Sequence, residues 1–284
     1  MISNPICLLV KGPFACFTRP EFKVERVSYP VITPSAARGI FEAILMKPIE
    51  KPDPARRQNK VGFRWWIMKM GIVSKGTMFS LVRNELGYES DSHPWDGCDI
   101  SSSANRAQRN SLILHNVEYL LEGRIEVADQ ISRRRGQRHF DFRGTLELLA
   151  KYHHSFLRRA LCGQCAYQPF LGCREFSVSD WECLTKTEKG DYTLKPATSA
   201  RLSKMAGEDF GMIFQDFDYA NLWDHWRAES GLDYAPRPTE WPEKTRLRAL
   251  PGVPAKCDED GWIHVARMSA DGKKVQPLFA RSAP

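Results

Sequence analysis

A chain of 284 residues, 42% hydrophobic and 11% aromatic, is long enough to bury the core of one large domain or two smaller ones. No apolar run approaches the ~20 residues that span a bilayer. Ile6–Val10 is too short for a secretory segment and has no cationic stretch before it, so a cytoplasmic location is expected and a membrane partner is not. The formal net charge of +7 is unevenly spread: Ser101–Val117 holds Arg106 and Arg109 with no acid, and Ile131–Gly144 holds Arg133, Arg134, Arg135, Arg138 and Arg143 against Asp141 alone. Clustering of this kind suits a polyanion, because each neutralised phosphate releases counterions. Charge alone leaves nucleic acid and a solvated basic surface as equal readings.

Residues 6–12 read as an apolar strand. Thr33-Pro34-Ser35 then opens a helix, with Thr33 as the cap and Pro34 at the first position, where a missing N–H is harmless. Ala37, Ile40, Phe41 and Ile44 follow at helical spacing, and Lys47-Pro48 closes the element. Residues 48–62 read as a loop and 63–73 as a strand. Residues 87–111, rich in Gly, Ser, Asp and Asn, read as a long excursion, and Val117–Val127 as a further strand. Over 145–161 Leu146, Leu149, His153, Phe156, Leu157 and Ala160 fall on one side of a helix; Glu147, Lys151, His154, Ser155 and Arg158 fall on the other. A strand is expected at Phe170–Ser177, with shorter ones at Met212–Tyr219 and Trp262–Arg267.

The order strand, helix, strand, strand, helix, strand predicts an α+β fold. Its N-terminal domain, 1–180, is ferredoxin-like (the RNA-recognition-motif type of sheet) with a long loop insertion. A small C-terminal antiparallel β-sheet domain with a loose tail is expected over 181–284.

Eight cysteines in a reducing compartment are read as free thiols. Cys162 and Cys165 form a CxxC pair, and Cys173, Cys183, His153 and His154 lie near enough in sequence to draw a zinc site. Structural zinc usually takes two compact ligand pairs, and only one is present. No metal and no other cofactor is expected.

Several segments carry a resemblance. They are Ala15-Cys-Phe-Thr-Arg-Pro-Glu21, Val24-Glu-Arg-Val-Ser-Tyr29, Pro34-Ser-Ala-Ala-Arg-Gly-Ile40 with Glu42-Ala-Ile44, Arg83-Asn-Glu85, Asn105-Arg-Ala-Gln-Arg109, Asn116-Val-Glu-Tyr119 and Gln168-Pro-Phe-Leu-Gly-Cys-Arg-Glu-Phe176. In order and spacing, from about residue 6 to about 219, the chain resembles the CRISPR-associated RAMP subunit of type I-C systems, family five of the Cas proteins, Dvulg subtype. The arginine arm at 131–144 and the tail after about 235 match nothing in that pattern. The resemblance implies a subunit that holds the 5′ handle of the CRISPR RNA within the antiviral Cascade complex. Its partners would be the backbone subunit, the large subunit and, through the complex, target DNA. In this subtype the subunit often also cuts the precursor repeat RNA, as an endoribonuclease that needs no metal. Arg19, Lys23, Arg26, Arg38, Arg83, Arg106, Arg109, Arg158 and Arg174 are the RNA contacts this reading assigns. For Arg19, Lys23 and Arg26 a salt-bridged surface with Glu21 and Glu25 is the alternative. Phe14 and Phe17 are read as core or as base-stacking rings.

Metal-free RNA cleavage needs a base for the 2′-OH, an acid for the leaving 5′-oxygen, and a cation for the phosphorane charge. Lys151, Tyr152 and His154 offer these types within one helical segment, with His153 turned toward the core. The family's set is a tyrosine late in the first helix plus a Lys-His pair in the second. Here Leu45 stands at the tyrosine position, Lys151 at the lysine and Tyr152 at the histidine. Two readings follow: a repeat endonuclease, or a subunit that binds RNA and does not cut it. A zinc-dependent nucleic-acid protein built on Cys162 and Cys165 is the third.

Overall fold

The computed structural model describes residues 1–22, 25–47, 62–86, 106–127, 131–134, 137–140, 142–184, 186, 191–216 and 252–265. Of the expected elements, residues 48–61 of the loop, 87–105 of the excursion and the ends of the strands expected at 212–219 and 262–267 lie outside them; within them the first of these strands ends at Ile213.

The organising element is β5, Arg106–Val127, a strand of 22 residues. Its C-terminal half pairs antiparallel with β1 (Ile6–Ala15) and β3 (Phe63–Ser74); its N-terminal half pairs with β4 (Thr77–Leu86) on one edge and β2 (Arg26–Val27) on the other. With β8 (Asp180–Leu184) and β11 (Trp262–His264) these strands form a seven-stranded, mostly antiparallel sheet, ordered β11-β3-β5-β1-β8 along its main path. Asn116, with φ 58°, sits where β5 exchanges β4 for β3: pairing with β4 ends at His115 and pairing with β3 begins at Glu118. Gly76, φ +73°, makes the turn between β3 and β4, and a Cβ there would lie 2.5 Å from the His115 carbonyl oxygen. Only glycine fits both demands.

β1 is apolar on both faces because both are covered. Ile6, Leu8 and Val10 join Tyr119 and Leu121 beneath α1 (Pro34–Ile44) and α2 (Phe142–Leu161), against Ile40, Phe41, Leu149 and Phe156. Phe41 lies 5.5 Å from Phe156 and 4.7 Å from Trp65, centroid to centroid. Cys7 and Leu9 point the other way, onto Leu120, Val73, Trp262 and Leu202 of α3 (Pro196–Ser203). Full burial of each large apolar side chain stabilises the fold by about 1.5–3 kcal/mol. Thr33 caps α1 as expected, its Oγ1 accepting from the Ala36 N–H at 3.3 Å.

Three expectations need correction. First, 170–177 is not a strand. Only Phe170 and Ser177 bridge, and the segment between folds back through Leu171 N–H to Phe176 O and Phe176 N–H to Cys173 O. Gly172 takes φ +88°, with a Cβ position 2.0 Å from the Cys16 carbonyl, a conformation no pleated strand contains. The strand that follows α2 is β8. Second, the excursion ends earlier than expected, since 106–111 belong to β5; 77–86, just ahead of it, form β4. Residues 106–111 are polar apart from Ala107 and alternate in exposure rather than in hydrophobicity, which hid the strand period. Third, Leu146 is 49% exposed despite its angle on α2, while Tyr152 is buried. The arginine arm, for which the sequence suggested no element, forms a hairpin of β6 (Ile131–Arg134) and β7 (Gln137–Phe140).

The boundary expected at residue 180 falls on the first residue of β8, a member of the main sheet. β9 (Asp209–Ile213) and β10 (Val253–Lys256) form a separate two-stranded sheet. Ile213, Val253 and Ala255 nevertheless join the same core as α1 and α2. Among the described residues no helix is long and apolar enough to cross a membrane.

Candidate nucleic-acid interface

α2 sorts the three expected catalytic side chains between two environments. Lys151 and His154 are exposed. Tyr152 is 8% exposed, its ring 4.8 Å from Phe63 in the core. His153 is half-buried with its ring 5.8 Å from that of His154; burial first, and then the neighbouring imidazole, hold it below the usual histidine range. Lys151, His154 and Arg158 therefore share solvent, and Arg158 donates to Gln164 Oε1 at 2.9 Å. Leu45, the C-cap of α1, is 2% exposed, and its carbonyl accepts from Trp65 Nε1 at 3.0 Å. Trp65 stacks edge-on against Phe63 at 5.8 Å, which in turn meets Tyr152. The fold thus brings the neighbourhoods of residues 45 and 152 together through two aromatic rings. At both positions the side chain faces the core.

A second cluster gathers on the β4–β5 ribbon. Register places Arg83 opposite Arg109 and Arg26 beside Ser111, on the same face as Leu81 and Ile113. Leu114, one residue on, belongs to the core beneath α1 and α2, so by strand alternation the arginines lie on the face turned away from those helices. Arg83 and Arg26 both donate to Glu175 Oε1, Arg26 at 2.5 Å. Glu85 meets Arg83 at 2.9 Å and Arg26 and Arg109 at 3.7 Å each. Three guanidinium groups share two carboxylates and leave one net positive charge. Burial would raise the Glu175 carboxyl, but its own backbone N–H, Arg83 and Arg26 together hold it below the ordinary range. Beneath the cluster, Cys173 Sγ lies 3.5 Å from Thr18 Oγ1 and from the Cys16 carbonyl. The Cys16 thiol beside it holds the Cys173 thiol down at about 6.

The remaining expected contacts are scattered. Arg19 stacks on Tyr29 at 5.0 Å. Arg38 is clamped by Asp216, at 2.7 and 3.1 Å, and by Glu42 at 2.5 Å; the two carboxylates raise its pKa against the effect of burial. Its guanidinium ties α1 to the segment after β9. Arg106 and Arg174 are exposed, and Lys23 lies outside the described residues. Phe14 and Phe17 both pack: Phe17 is 2% exposed, and Phe14 lies 5.2 Å from His115. Among the described residues no group of three His, Cys, Asp or Glu side chains is arranged to hold a metal ion; Cys162 is exposed and Cys165 half-buried.

Sequence reasoning missed Glu85 and Glu175. The signal was present, since each stands within two residues of an arginine in a segment already singled out. Only the register shows that they converge.

The clustered guanidinium groups on the ribbon and the Lys-His pair on the exposed face of α2 are two separate surfaces, each chemically matched to a phosphate backbone. The chain belongs to the CRISPR-associated Cas5 family: the model described as CRISPR-associated protein (Cas_Cas5) matches residues 6–250. This is the family that the segments quoted above resemble. The CRISPR pre-crRNA endoribonuclease Cas5d of Thermus thermophilus is 42% identical over 167 residues, 59% of this chain and 59% of that protein, less than two thirds of its length. The protein of the same description from Mannheimia succiniciproducens is 33% identical over 240 residues, 80% of this chain and 92% of that one. Among solved structures, a functionally uncharacterized protein from Streptococcus mutans aligns over 94% of both chains, at 19% identity and a TM-score of 0.49.

Proposed function

We propose that this chain is the subunit of a type I-C Cascade that binds the 5′ handle of CRISPR RNA, and that it also cuts precursor repeat RNA without a metal. Its partners in this reading are the repeat RNA, the Cascade backbone and large subunits and, through them, target DNA. Antiviral defence in the cytoplasm is the setting. The observation that carries the reading is the family match over 6–250, joined to an ion-paired arginine ribbon whose side chains sit at the segments expected to touch RNA. The chain order of β1, α1, β3, β5, α2 and β8, with strand order β3-β5-β1-β8, supports a ferredoxin-like scaffold.

In the cleavage step an internal 2′-oxygen attacks the adjacent phosphorus and the 5′-oxygen leaves, producing a 2′,3′-cyclic phosphate. Lys151 supplies positive charge to the phosphorane, and His154 is the exposed group able to carry a proton within the same turn of α2. Tyr152 supports the site by packing rather than by touching substrate. The test is incubation of the purified chain with its repeat RNA in EDTA, with a 2′-deoxy substitution at the cut site as control. Cutting in EDTA that stops on 2′-deoxy substitution supports the mechanism; cutting of the deoxy substrate refutes it.

A second reading, RNA binding without cleavage, is favoured by one observation. Leu45 and Tyr152, at two of the family's three catalytic positions, both face the core. Tight binding of the repeat with no product would establish it.

A further inference from the structure

The ribbon face that carries Arg83 and Arg109 does not end there. Toward the β3–β4 turn, the same face presents Leu81, Phe79 and Thr77 on β4, opposite Ser111, Ile113 and His115 on β5. Phe79 is 45% exposed, buttressed by Phe14 at 6.1 Å and His115 at 6.4 Å. Beyond it opens a hollow of about 330 Å3 lined by Lys75, His115, Arg201 and Lys204, between the turn and α3. We propose that this hollow is a phosphate subsite of single-stranded RNA, continuous with the arginine cluster, in which Lys75 and Lys204 take a backbone phosphate and Phe79 stacks a base. The proposal rests on the reading of the chain as an RNA-binding subunit and extends the track to residues outside the segments expected to touch RNA.

The charges decide which residues act. Arg201 is held by Glu118 at 2.5 Å, and Lys11 shares that carboxylate at 3.5 Å. Arg201 therefore shapes the wall. Lys75 meets Glu208 only at 3.7 Å, with both side chains about half exposed, a pair of the kind worth ~0–1 kcal/mol and readily exchanged for a phosphate. Lys204 is exposed and makes no ion pair among the described residues. From Thr77 to Arg83 the strand rises about 20 Å at ~3.3 Å per residue, room for a few nucleotides. Cations at both ends of an exposed aromatic ring match how proteins hold single strands, with backbone charge neutralised and a base on a ring face. α3 packs on Leu9 and Leu120, on the sheet face opposite the one α1 and α2 cover. The hollow is thus separate from Lys151 and His154.

The test is fluorescence anisotropy of end-labelled repeat RNA with the full chain, across a salt series. Phe79→Ser should weaken binding about tenfold, within the range that base stacking supplies, and Phe79→Trp should keep it. Lys75→Ser with Lys204→Ser should flatten the slope of log K against log salt by about 0.7, the value of one single-strand phosphate contact. RNA shortened from the end that reaches the hollow should lose affinity for the unaltered chain and none for the double-lysine variant. Unchanged affinity and slope in these variants, while the unaltered chain binds and Arg83→Ala weakens it, would overturn the subsite alone. No RNA binding by the unaltered chain would overturn the subsite and the function it rests on together.

Discussion

Glu175→Gln separates two roles for the arginine cluster. The carboxylate accepts from Arg26 and Arg83, so it either competes with phosphate for those guanidinium groups or aims them at it. Neutralising it removes a unit negative charge from the path of the RNA. At a separation of about 7 Å, a carboxylate and a phosphate repel by ~0.6 kcal/mol in water and ~2.4 kcal/mol at an effective dielectric of 20. Glu175 is 39% exposed on its side chain, which places the gain near the lower end, about 1 kcal/mol or fivefold in Kd. Glutamine keeps an acceptor, and the lost pairs are half-exposed, so the melting free energy should fall by less than about 1 kcal/mol. The assay is anisotropy with repeat RNA at several salt concentrations, with a thermal melt alongside. Expected is tighter binding and a salt slope steeper by up to about 0.7 for each arginine released. Weaker binding, matching Arg83→Ala, would show that Glu175 orients the arginines and would refute the competition argument.

Lys151→Ala should lower single-turnover cleavage ~10²-fold or more with little change in Kd, because a cation placed for the phosphorane acts in the transition state; equal losses of rate and affinity would make it a binding residue. Leu45→Tyr restores the family's side chain at a position 2% exposed, and overpacking there should destabilise the fold by about 1–3 kcal/mol in a denaturant titration rather than raise the rate. At Asp258, burial would raise the carboxyl, but the Trp262 and Asp260 N–H groups and His264, at 2.7 Å, hold it below the ordinary range. A depressed folded-state pKa contributes stability above the unfolded value of ~3.9 and loses it as pH falls through the folded value. Asp258→Asn should therefore melt lower than the unaltered chain at pH 7, with the gap closing in strong acid; a pH-independent gap would remove the linkage.

The sequence by itself was sufficient for the family, for β1, α1, β3 and α2, and for the Thr33 cap. Each of these rests on local information: a doubly apolar run, a 3.6-residue period, a cap residue ahead of proline. It also separated His153 from His154, because helical angle alone turns one inward. It failed at Phe170–Ser177, where apolar composition reads as strand while Gly172 needs a left-handed backbone pressed on the Cys16 carbonyl. Composition also hid the β4–β5 ribbon, because β4 carries exposed apolar residues, Met78, Phe79 and Val82, while β5 opens on a polar run at 106–111, so neither strand shows an alternation to detect. Tyr152 goes inward in step with Leu149 and Phe156, three residues after one and four before the other, a spacing the assignment of Tyr152 to the exposed site passed over; Phe63, from a strand some ninety positions earlier, packs beside it. The arginine cluster is instead a product of register. Arg26, Arg83, Arg109 and Glu175 come from four separate parts of the chain, and whether a guanidinium meets a carboxylate or open solvent is decided by which strands pair and in what alignment, information that only long-range packing supplies.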